Sequence, residues 1–70
     1  VIEFILPEKA EVSLVVYDLL GNIVAVLQEG SLDAGNHAIS WNGTNSSAGI
    51  YVYRLQVGGV TETKKMILLK

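Results

Sequence analysis

Along most of this chain apolar and polar residues alternate with a period close to two, the spacing of strands that cover one face. Ile2, Phe4 and Leu6 alternate with Val1, Glu3 and Ile5 until Pro7 stops the run. Val12, Leu14 and Val16 alternate with Ser13, Val15 and Tyr17 in a second strand. Asp18-Leu19-Leu20-Gly21-Asn22 then predicts a turn, with Gly21-Asn22 suited to positive φ. Ile23 to Leu27 is nearly continuously apolar, which predicts a third strand covered on both faces. Glu29 to Asn36, with Gly30 and Gly35, reads as a connection. His37, Ile39 and Trp41 alternate with Ala38 and Ser40 in a fourth strand, and Asn42 to Ser47 is a polar turn cluster. Ile50 to Val57 and Val60 to Leu69 are two final strands joined by a tight Gly58-Gly59 turn. The one window of helix formers, Pro7 to Val12, is too short for a helix.

Short strands at roughly 8–12-residue spacing predict an all-β fold, a small immunoglobulin-like antiparallel β-sandwich of six to seven strands. Its expected core faces carry Phe4, Leu6, Val12, Leu14, Val16, Val24, Leu27, Ile39, Trp41, Tyr51, Tyr53 and Leu55. Trp41 is the largest apolar group and the expected centre, its indole N–H needing a partner. On that placement Trp41→Ala would cost ~3–5 kcal/mol. Tyr51, just after a turn exit, is a candidate tyrosine-corner residue whose hydroxyl bonds back to the turn.

At 70 residues the chain is one domain, 1–70, small enough to bury only ~60% of its unfolded surface. Half its residues are apolar, which compensates in part. Without cysteine, neither disulfides nor thiolate metal sites staple it. A formal charge of −2 argues against nucleic-acid binding, which shows as a basic face. No apolar run approaches the ~20 residues that span a bilayer, and no signal peptide is present. Because it begins at Val1, the chain reads as a piece of a longer polypeptide with any export signal upstream.

Candidate chemistry is sparse. His37 is the one histidine, and Asp33 or Asp18 are its possible acid–base partners, but no serine sits in a nucleophile elbow. A working base needs positioned partners, so His37 reads as a strand residue on a partly exposed face. The acidic residues are scattered and form no glycosidase pair. Asn42, Thr44 and Ser46 place oxygens at alternate positions, as a calcium loop does, but lack the acidic ligands. Asn42-Gly43-Thr44 and Asn45-Ser46-Ser47 are glycosylation sequons that matter only in a glycosylating secretory pathway. Tyr17, Tyr51, Tyr53 and Trp41 would form a sugar-binding platform only if exposed in one plane. The expectation is a non-enzymatic domain with no cofactor and no metal.

Several segments together resemble one family. Ile2 to Glu8 is similar to its opening strand, and Val15-Val16-Tyr17-Asp18-Leu19-Leu20-Gly21-Asn22-Ile23-Val24 to its "VYDLLGxxV" signature. Ala34-Gly35-Asn36-His37 through Trp41-Asn42-Gly43, then Ala48-Gly49-Ile50-Tyr51-Val52-Tyr53-Arg54-Leu55, match "AGxHxxxWxG" and "AGxYxYRL". Gly59 with Thr63-Lys64-Lys65-Met66-Ile67-Leu68-Leu69-Lys70 matches the closing "GxxxxxKKMxLxK". The pattern resembles the C-terminal sorting domain of type IX secretion cargo, a relative of the immunoglobulin-like domain of the flagellar hook-capping protein. That resemblance implies a cargo domain upstream, passage through the periplasm, and recognition by an outer-membrane translocon and a sortase-like peptidase. It implies a secreted or cell-surface location, and recognition elements at Gly49, Tyr51, Gly59, Lys64, Lys65 and Lys70. The plainer role for the lysines is protection of an edge strand. The alternatives are a structural or assembly module of the hook-capping type and a small carbohydrate-binding module of a secreted hydrolase.

Overall fold

The alternating segments become six strands: β1 (Ile2–Leu6), β2 (Ala10–Tyr17), β3 (Ile23–Leu32), β4 (Gly35–Ile39), β5 (Gly49–Val57) and β6 (Val60–Leu68). They come from a computed structural model that describes residues 2–41, 43 and 47–69. Among these residues, no helix is long and apolar enough to cross a membrane. The strands form two antiparallel sheets, β1-β4 and β3-β2-β5-β6. This is the small immunoglobulin-like sandwich that the pattern predicts.

Pro7 ends β1, and the chain crosses at 7–9 to the larger sheet. In β2 the sequence alternation translates directly into burial: Val12, Leu14 and Val16 are buried, while Ser13, Val15 and Tyr17 face the other side, half-buried. Ile2 and Leu6 from the small sheet close over Val12, Leu14 and Leu55 from the large one. Phe4, Leu27, Leu32, Ile39, Tyr53, Val57 and Met66 pack around this cluster.

The centre differs from the sequence expectation. Leu14 and Val16 are fully inaccessible, whereas Trp41 is half-buried and lies beyond the end of β4. Its ring meets Tyr51 edge-on, 5.0 Å between centroids. Because the small sheet has only two strands, it covers the middle of the large one best, over β2 and β5, and that is where the aliphatic residues sit.

Strand β3 is the second correction. It is an edge strand that runs to Leu32, through what reads as a connection in the sequence, and Gly35 already begins β4. It is not covered on both faces, because Ile23 is 63% and Val26 53% exposed. Its register against β2 shifts twice, between Leu14 and Val15 and between Val16 and Tyr17. Each shift is a bulge that inserts an extra β3 residue. A continuous apolar run hides such bulges, since its period is undefined.

The turn after β2 forms at Asp18–Asn22, although of Gly21 and Asn22 only the glycine takes a positive φ. Asp18 organises it: Oδ1 accepts the N–H groups of Leu20 and Asn22, each at 2.9 Å, and Oδ2 accepts Asn22 Nδ2 at 3.3 Å. The Asn22 N–H is the largest cause of a lowered Asp18 pKa, only partly opposed by desolvation. A lowered folded-state pKa adds stability that is complete above the ordinary value of 3.8 and lost as pH falls through the folded value. Asp18→Asn should therefore flatten the acid limb of stability. Urea midpoints measured from about pH 5 down to pH 2 test this. An unchanged limb would show that the turn does not favour the carboxylate.

Candidate functional site

Five of the candidate recognition residues, Gly49, Tyr51, Gly59, Lys64 and Lys65, lie on the β5–β6 hairpin. Val57 pairs with Val60 across Gly58-Gly59, a two-residue loop. Gly58 has φ +56°, the left-handed first position that the mirror-image hairpin turns demand. Gly59 is therefore at the tip. At the other end Gly49 pairs with Leu68, a strand length of about 30 Å away. The candidates thus line one hairpin without converging on a point.

Tyr51 faces inward and is buried. Its hydroxyl donates to the Ser47 carbonyl at 2.6 Å, the tyrosine-corner bond expected from sequence. The ring is held by Trp41 and the hydroxyl by main chain, so Tyr51 presents little to a visiting molecule. Tyr51→Phe should cost about 1 kcal/mol, the net worth of one hydrogen bond. Chemical denaturation would measure it, and no loss would mean that the corner bond adds nothing.

Lys64 and Lys65 point to opposite faces of β6, as neighbours in a strand must. Lys64 lies in register with Tyr53 and Lys65 with Val52. Glu62 and Lys64 therefore share the face that elsewhere turns to the core, and their side chains pair at 3.6 Å while staying 61% and 59% exposed. Charges on the inward face of an edge strand discourage indiscriminate strand addition. Lys70 lies outside the described residues, as do the alternating oxygen-bearing positions Asn42, Thr44 and Ser46 of the polar turn and the sequon residue Asn45.

The remaining candidates are committed to the fold. His37 sits on β4, half-buried as expected, with Nε2 donating to the Asp33 carbonyl at 2.7 Å and the ring stacked on Phe4. Because a carbonyl only accepts, this bond assigns the proton to Nε2. The partner is main chain, not the Asp33 carboxylate that an acid–base pair would use. The aromatics make no flat platform. Tyr17 lies on the outer face of the large sheet beneath Arg54, at 5.1 Å, while Tyr51 and Tyr53 lie on the inner face. Trp41 meets Tyr51 at 76°, so a coplanar sugar-binding row is not formed.

Sequence reasoning missed two features. One is Glu62, whose value lies in the strand triplet Glu62-Thr63-Lys64; the signal was opposite charges two residues apart in a terminal strand. The other is Gly43, which is buried with φ +60°, and where an added Cβ would lie 2.6 Å from Leu68 Cδ2. That contact, from the 40s loop to the end of β6, has no local sequence signature.

A family model described as the FlgD Ig-like domain matches residues 1–60. No curated protein and no solved structure matches the chain.

Proposed function

Because the chain belongs to the FlgD Ig-like domain family, we propose that it is a non-enzymatic structural module, an assembly domain of the hook-capping type within a larger protein. The observation that carries this reading is how the chemistry-bearing side chains are used. His37 Nε2, Asp18 Oδ1 and the Tyr51 hydroxyl each bond main-chain groups of the fold. What remains for partners is surface and the open edge of β6.

A second reading, sorting through a type IX translocon to the cell surface, is favoured by one observation. Lys64 and Lys65 are exposed on that edge, beyond the residues the family model matches. A periplasmically exported reporter with this chain at its C-terminus, placed in a type IX-competent host, separates the two. The structural reading expects no surface display. Display that is lost when Lys64 and Lys65 become glutamate, with the sandwich intact by circular dichroism, would overturn it in favour of sorting. Point substitutions are needed because removing residues 64–70 would delete the partners of Gly49 to Tyr53 and unfold the hairpin.

A further inference from the structure

The edges of the two sheets are unequal. Strand β3 is bulged twice, and β1 and β4 have only five residues each. Strand β6 is nine residues long and pairs with β5 without a register shift. It is the long, regular edge among the described residues.

Its hydrogen-bonding parity follows from two observations. Gly58 N–H donates to the Glu11 carbonyl at 3.2 Å, so even-numbered β5 residues turn their main chain toward β2 and odd-numbered ones toward β6. Val57 pairs with Val60 and Leu55 with Glu62. Even-numbered β6 residues thus bond to β5, and Thr61, Thr63, Lys65 and Ile67 turn their N–H and C=O outward.

An added antiparallel strand must pair with those odd-numbered residues, and the charges then select both its identity and its register. We propose that the strand is β6 of a second copy of this chain, paired about a twofold axis through Thr63. In that register Thr63 faces its own counterpart, and Thr61 faces Lys65 of the other copy. Glu62 faces Lys64, and Lys64 faces Glu62, in the close pairs that are not hydrogen-bonded. Exposed Val60 meets Met66. About six main-chain hydrogen bonds join the copies into one continuous sheet, in the self-complementary contact that twofold symmetry requires. Other registers lose this match. Centring on Glu62, Lys64 or Lys65 sets like charges face to face, which is destabilising. Centring on Thr61 leaves Lys64 opposite the turn glycines with no ion pair. The charges that deter most strands therefore admit this one. The inference needs only the edge and its charges, and it stands or falls independently of the reading above.

The test is self-association by sedimentation equilibrium of the chain, from ~10 μM to ~1 mM. The wild type should form dimers. Lys64→Glu and Glu62→Lys should each weaken them about tenfold or more, since each sets two like-charge pairs across the axis. An equimolar mixture of the two variants, and the double exchange E62K/K64E, should both restore association. Circular dichroism confirms that each variant is folded. A wild type that stays monomeric throughout would overturn the proposal. So would dimers indifferent to the charge reversals, which would place the contact on another surface.

Discussion

Leu14→Ala should be the most damaging truncation in this domain, costing about 2–5 kcal/mol. Leu14 has no accessible surface and stands where Ile2, Leu6, Val12 and Leu55 meet. Removing it takes away its transfer energy and leaves a void that two facing sheets, held apart by their other side chains, do not collapse to fill. In a domain of this size each kcal/mol moves the midpoint by about 4–8 °C, so the melting temperature should fall on the order of 10–30 °C. Thermal unfolding followed by circular dichroism measures this. Trp41→Ala should cost clearly less, because the indole is half in solvent and its main partner is the edge of Tyr51. If Trp41→Ala proves as costly as Leu14→Ala, the core is centred where the sequence pattern first put it.

Gly43→Val should cost about 3 kcal/mol or more, from two independent sources. A residue with a Cβ at φ +60° pays roughly 1–2 kcal/mol, and a branched one more. The same Cβ would lie 2.6 and 2.8 Å from the two methyls of Leu68, and overpacking of this kind adds typically ~1–3 kcal/mol. The two parts are separable. Leu68→Ala in the Gly43→Val background should recover the overlap and leave the backbone strain, so a double-mutant cycle should show favourable coupling. Simple additivity would mean that the loop and the end of β6 do not touch.

The fold was legible because strand burial here follows a period of two with few exceptions. Strand β2 shows this most plainly, each second residue being buried from Val12 to Val16. The β5–β6 hairpin was legible from Gly58-Gly59 between two alternating runs, and the tyrosine corner from the position of Tyr51 after its turn. Strand β3 was not, for a physical reason. Ile23 to Leu27 has no polar residue to fix its phase, so neither the bulges nor the edge position leaves a mark. Trp41 misled because side-chain size says how much surface a residue would hide, not which strands cover it. The candidate residues on the last hairpin were found as a set, yet what joins Glu62, Thr63 and Lys64 emerged only once the parity of β6 against β5 was known.

The proposed pairing requires that β6 is an open strand edge whose odd-numbered main-chain groups are free to bond a second copy. Amide hydrogen exchange, resolved residue by residue along β6, tests it most directly. In dilute solution Glu62, Lys64 and Met66 should be protected, because they bond to β5, while Thr61, Thr63 and Lys65 exchange quickly. As concentration rises, the fast set should slow and the protected set should hardly change. Uniform exchange along the strand at all concentrations, or odd-numbered amides that stay fast where the chain associates, would contradict the account.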